Sequence, residues 1–204
     1  MHNYSIDTKE HIYVNFYLAL LSVVIVYIAK DLLKQVTFLP ISISISSTSL
    51  TLFGVLYALF DKYCWKWKIL RFTFKVKTPI LSGAWEGEYK SSYGLNDDGT
   101  GEPTEGNIKI TIEQTWSKIS IKSDSVNSSK SCSQVAGVFV KHNKGIVLKY
   151  EYENDPEESF VKSMNKHSGF ECLVFDEANE EMNGSYYTDK YRRTYGSKKY
   201  KRLK

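Results

Sequence analysis

Residues 12–29, "IYVNFYLALLSVVIVYIA", carry no charge, and their only clearly polar members are Asn15 and Ser22. A second uncharged run follows from 36 to 60, "VTFLPISISISSTSLTLFGVLYALF". About 20 such residues cross a bilayer as a helix, and lipid leaves a backbone few other ways to satisfy its polar groups. These runs therefore constrain the chain more than any other feature. They predict two transmembrane helices, about 12–29 and 38–60, joined by the short stretch 30–35 into a hairpin that occupies residues 1–61.

Within the second run "ISISIS" alternates with period two, which taken alone describes a β-strand. The run continues unbroken into an apolar stretch ending at Phe60, and serines in a membrane helix can bond back to its own carbonyls. Helix is the expectation. Ser42, Ser44, Ser46, Ser47, Thr48, Ser49 and Thr51 crowd its first half. They suit either a helix–helix interface or the membrane–water boundary, where serine costs little.

The first run lacks the flanks of a cleaved signal: Asp7 and Glu10 stand beside Lys9, and no small-x-small site follows it. It is expected to be retained. Up to Thr78 the acids are Asp7, Glu10, Asp31 and Asp61, so the net charge of +4 is unevenly spread. A connector, 62–78, holds Lys62, Lys66, Lys68, Arg71, Lys75 and Lys77, and the tail from 190 to 204 is also basic and free of acids. By the excess of cations near the second helix's end, both termini belong in the cytoplasm of a multi-pass membrane protein. Trp65 and Trp67, interleaved with Lys66 and Lys68, fit the interfacial belt. The basic clusters thus find their partner in the lipid bilayer, with no DNA or RNA expected. Three widely spaced cysteines with no CxxC pair give neither a disulfide framework nor a zinc site and suit a reducing compartment.

From 79 to 204 the chain changes to an all-β pattern. Alternating stretches stand near 84–93, 107–113, 116–123, 134–142, 145–153, 159–165, 169–176, 181–188 and 194–202. Ile108, Ile110 and Ile112 oppose Lys109 and Thr111; Ile146, Leu148, Tyr150 and Tyr152 oppose Lys149 and Glu151. About eight antiparallel strands at this spacing suit a small up-and-down barrel able to enclose one small ligand.

Enzyme motifs are absent: no GxSxG, no HExxH, no Walker loop and no strand-to-helix GxGxxG. No catalytic activity and no metal or other cofactor is expected. The Gly-rich stretch 94–106 does not match EF-hand spacing and reads as a hairpin loop. What remains is an internal echo. "WEGEY" (85–89) and "MNGSY" (182–186) share the layout apolar-x-Gly-x-Tyr, with Gly and Tyr on the inward face. Gly87 and Gly184 either admit a ligand or another backbone at close range, or let a tight barrel bend. Tyr89 and Tyr186 either fill the core or stack against a flat ring. After them Thr188, Arg192, Arg193 and Thr194 bring cations and hydroxyls suited to phosphate, whichever arginine faces inward. The end from 198 to 204 is expected to be a solvated tail that touches the membrane surface.

Two N-terminal helices, a basic connector, a strand beginning Gly83-x-Trp85-x-Gly87-x-Tyr89, then Gly184-x-Tyr186 and Arg192-x-Thr194-x-Gly196: this combination resembles the membrane effectors of CBASS anti-phage systems, the two-transmembrane β-barrel proteins associated with CD-NTases. The resemblance implies a cyclic dinucleotide as ligand and a CD-NTase enzyme as functional partner. It also implies a homo-oligomer on activation and helices that disrupt the inner membrane, killing the infected cell by abortive infection. With that ligand, nucleotide binding is expected from Tyr89, Tyr186, Thr188, Arg192 or Arg193, and Thr194, with Trp85, Gly87, Gly184 and Gly196 shaping the pocket. The Gly83-x-Trp85 start is also similar to lipocalins. A lipocalin-like barrel tethered to the membrane and carrying a lipid or other apolar molecule is the alternative.

Overall fold

The computed structural model describes residues 1–31, 41–96, 100–125, 129–156 and 166–203. They form two compact units, one of 8–77 and one that joins residues 1–7 to 78–204.

The first unit is helical. Helix α1 spans Glu10–Ile28 and α2 spans Ile41–Lys62. The "ISISIS" stretch is therefore helical: the apolar run it opens decides against its period of two. Ser47 Oγ donates to the Ser44 carbonyl (3.3 Å), Thr51 Oγ1 to that of Ser47 (3.1 Å) and Ser22 Oγ to that of Ala19 (2.7 Å). Each hydroxyl is thereby satisfied inside its own helix. Val14, Leu18, Ser22 and Val26 make a buried stripe at i, i+4 spacing on α1, which packs against α2. The rest of α1 is equally apolar yet exposed (Ile12, Phe16, Leu20, Val24), the mark of a helix with lipid around it. Among the described residues α1 alone is long and apolar enough, by length and composition, to cross a membrane.

The connector is compact. A 3₁₀ turn at Cys64–Lys66 leads into a short helix α3, Lys68–Thr73. Trp67 is exposed, but Trp65 is completely buried, with Arg71 over its ring at 5.9 Å. Of the two tryptophans expected in an interfacial belt, Trp65 is thus covered by packing and Trp67 is exposed. Phe74 stacks on Tyr17 and meets Phe60 at a tilt of 44°, and buried Glu10 accepts from the Lys77 amide (2.6 Å), so 74–77 return to the start of α1.

Among the described residues the second unit is a sheet of nine strands: β1 (His2–Ile6), β2 (Gly83–Ser91), β3 (Thr104–Gln114), β4 (Lys118–Ser125), β5 (Ser129–His142), β6 (Gly145–Pro156), β7 (His167–Asp176), β8 (Glu181–Thr188) and β9 (Tyr195–Arg202). The hydrogen-bonded order is β1-β4-β3-β2-β9-β8-β7-β6-β5, and β5 also pairs with β4 and β1, closing the sheet into a barrel. The stretch 159–165, expected as a strand, lies outside the described residues. The sequence pattern gave no hint of β1, which breaks the all-antiparallel expectation by running parallel to β5 (Tyr4 opposite Ala136). β4 and β5 pair directly only from Lys122/Cys132 to Ser125/Ser129, and β1 fills the gap where they part. Asp7 fixes its end by accepting from the amides of Val140 (2.8 Å) and Lys141 (2.9 Å).

Alternation sends Ile108, Ile110, Ile112, Leu148, Tyr150 and Tyr152 inward, as the pattern predicts, and Trp85 is fully buried among them. One end of the barrel is sealed. Leu81 is fully buried there and Trp85 Nε1 donates to its carbonyl (3.1 Å). Arg202 lies over the Trp85 ring at 4.3 Å and donates to the carbonyls of Ser82 and Ile80. The other end is where the chemistry gathers.

Candidate functional site

An inward side chain recurs at every second residue, so each strand gives the interior a ladder of rungs. Three strands place tyrosine on one rung and a small polar residue on the next: Tyr89 and Ser91 on β2, Tyr152 and Asn154 on β6, Tyr186 and Thr188 on β8. Serines line the β4–β5 seam, where Ser131 Oγ donates to Ser123 Oγ at 3.1 Å. Together they enclose a cavity of about 350 Å³, within the range of small-molecule sites. Grooves of about 590 and 580 Å³ on the outer surface are larger, but exposed ion pairs such as Lys90–Glu105 (2.7 Å) wall them.

Of the residues expected at a nucleotide site, Tyr89, Tyr186, Thr188, Arg192 and Thr194 all line this cavity. Arg193 does not. It has a left-handed backbone (φ 54°) and its Nε donates to the carbonyl of Lys190 (2.9 Å), folding the side chain onto its own turn. Arg192 is the inward arginine, 4.5 Å above the Tyr93 ring. The turn that carries it is held by Asp189, whose carboxylate accepts from the amides of Ser168 (2.9 Å), Tyr191 (3.0 Å) and Arg192 (3.1 Å). Its slight burial works the other way, but these bonds prevail and keep its carboxyl below the usual range. Thr188 Oγ1 closes the same turn by accepting from the Thr194 amide (2.8 Å).

The expected shaping residues act elsewhere. Trp85 belongs to the sealed end and does not line the cavity. A Cβ on Gly87 would lie 1.8 Å from the Lys199 carbonyl oxygen, and one on Gly184 lies 1.9 Å from that of Cys172. The backbone of the adjacent strand makes the close approach at both glycines. Gly196 is equally tight against the Lys90 carbonyl, and the Tyr186 ring lies over it.

Two interior residues escaped sequence reasoning. Lys198, expected in a solvated tail, is buried and lines the cavity, with its Nζ 2.6 Å from Glu171 Oε2. Glu171 is wholly buried and also accepts from Tyr200 (3.1 Å) and Tyr150. Burial and then the Glu171 charge push the phenols of Tyr150, Tyr152 and Tyr200 far above their ordinary range. Burial likewise raises Tyr186, against a hydrogen bond from Ser91. All four are neutral donors at physiological pH. Among the described residues no cluster of His, Cys, Asp and Glu could hold a metal. The site offers aromatic faces, hydroxyls and cations: the means to bind a flat, anionic molecule.

Comparison with known proteins agrees. Residues 76–202 match the family model described as the cyclic dinucleotide receptor domain of Cap15, and residues 13–66 match that of the Cap15 TM helices. The chain is also similar to CD-NTase-associated protein 15 of Staphylococcus schleiferi, 28% identical over 164 residues that span 79% of this chain and 81% of that protein. Membrane helices followed by a cyclic dinucleotide receptor domain place this chain in the Cap15 family of CBASS effectors.

Proposed function

We propose that the protein is a ligand-gated membrane effector whose barrel binds a cyclic dinucleotide made by a CD-NTase, and that it acts by binding rather than catalysis. Tyr89 and Tyr186 stack against the bases, Arg192 forks onto a phosphate, and Thr188 and Thr194 add hydroxyl bonds. The observation that carries this is the convergence of these five residues, from two strands and one turn, on a single cavity. Its serines and buried lysine disfavour the apolar carrier, whose cavity would be greasy throughout.

In this reading α1 and α2 form a hairpin across the inner membrane with both termini in the cytoplasm, as the connector's cations favour. Reporter fusions after residue 204 test the orientation, and a periplasmic signal refutes it. Two helices are too few to enclose an aqueous path, so damage requires several protomers. The ligand shifts the protein toward the assembly by binding the assembled state more tightly. The protein reconstituted in dye-loaded liposomes tests this: leakage should need the cyclic dinucleotide and rise more than linearly with protein density. Leakage without ligand, or in strict proportion to protein, refutes ligand-gated assembly.

A further inference from the structure

A buried Lys–Glu pair is a poor way to stabilise a barrel. Apolar side chains of similar volume usually do as well, because desolvating two charges offsets most of their attraction. The Lys198–Glu171 pair is also asymmetric in placement. Glu171 is wholly buried, its second oxygen accepts from Tyr200 and its carboxylate also bonds Tyr150, while Lys198 lines the cavity. The carboxylate is thus screened from the cavity by the ammonium. Only one of the lysine's three donors is needed for the 2.6 Å bond to Glu171. The rings of Tyr186 (4.9 Å) and Tyr152 (5.3 Å) flank the nitrogen, a setting that favours a cation.

Depth matters as well. Gly196 pairs with the rim residue Ser91, and Lys198 pairs with Tyr89. Lys198 therefore lies two residues, about 6–7 Å, further along β9 into the barrel. Arg192 belongs to the turn at the rim. The cavity has one cation at its mouth and another on its floor, with tyrosine faces between them.

Resting on the receptor reading above, we propose that the two cations divide the two phosphates of the cyclic dinucleotide: Arg192 takes one at the mouth and Lys198 the other at the floor. Glu171 positions the lysine through the 2.6 Å bond, which the side-chain oxygen of a glutamine could also accept. A ligand with a single phosphate would satisfy only one of them, so the pair of cations selects for the cyclic diester over mononucleotides.

The test is calorimetry on the full chain in detergent, with cyclic di-AMP, cyclic di-GMP and cyclic GMP–AMP as probes. Lys198→Met is made together with Glu171→Gln, so that no unpaired charge is left buried. This double variant should weaken binding of whichever probe the wild type binds by about tenfold or more. Adding Arg192→Ala should multiply the losses to within about twofold, as separate phosphates require. Glu171→Gln alone keeps the lysine and should bind within about threefold of wild type even if its melting temperature falls. Binding by the double variant within about twofold of wild type overturns the assignment. So does an equal loss in Glu171→Gln, which would make the pair merely structural. No heat from the wild type with any probe overturns the receptor reading itself, a result distinct from either.

Discussion

Alkaline pH should unfold the barrel abruptly, through the phenols around Glu171. Tyr150, Tyr152 and Tyr200 are 2%, 6% and 0% exposed, and burial followed by the Glu171 charge raises all three. In the unfolded chain they ionise near pH 10. A raised folded value means the native state holds its protons where the unfolded state sheds them. Stability is then complete below about pH 10 and falls as pH climbs toward the folded values. Each phenol contributes a slope of about 1.4 kcal/mol per pH unit, so three together remove about 4 kcal/mol by pH 11. That is a large share of the 5–15 kcal/mol typical of a domain. Urea unfolding of the full chain in detergent, followed by near-ultraviolet circular dichroism from pH 8 to 11, gives the slope. The Tyr150→Phe/Tyr200→Phe variant isolates the cause, because it should lose the part of the slope those two phenols supply and keep the part from Tyr152 and Tyr186. If wild type and variant lose stability in parallel, the phenols are not responsible and the account of the Glu171 network is wrong.

Gly184→Ala puts a methyl group against a backbone carbonyl that cannot rotate away, so it should destabilise the domain by about 1–3 kcal/mol, read as a fall in melting temperature. An unchanged melting temperature would show that the β7–β8 crossing is looser than described. Asp189→Ala removes the acceptor for three amides of the turn that aims Arg192. It should weaken cyclic dinucleotide binding about three- to tenfold in calorimetry, by loosening the arginine before it binds. Wild-type affinity in that variant would mean that the turn orders itself without Asp189.

The parts legible in the sequence were those with a strong period or a long run. The Ile108–Ile110–Ile112 alternation marked β3, and the uncharged stretch at 12–29 marked α1, because each repeats one physical demand many times. Strand β1 was illegible because five residues before a hydrophobic helix carry too little pattern. Its partners lie more than a hundred residues away, at 118–119 and 136–138. Lys198 was misjudged because "KKYKR" resembles a solvated tail. Only pairing with β2 and β8 shows that Lys198 and Tyr200 turn inward while Lys199 and Lys201 stay out. One available signal went unused. Tyr-x-polar occurs as "YKS" at 89–91, "YEN" at 152–154 and "YYT" at 186–188, and it would have located three of the cavity's walls. Between the two arginines the sequence left the choice open, because a single left-handed residue, Arg193, reverses the side-chain order at the turn.

The placement of β1 means that the chain passes between the helical and barrel units twice, at 7/8 and again at 77/78. A domain on one linker can be released by one cut; here a nick within the connector leaves the barrel anchored through β1, which runs directly into α1. The domain boundary drawn along the sequence is therefore not where the barrel comes apart. A fragment of residues 76–202 lacks β1, and β4 and β5, which still pair from Lys122/Cys132 to Ser125/Ser129, would face each other unpaired where they part. Starting the chain after α1, to free the receptor from its anchorage, therefore also takes a strand out of the barrel.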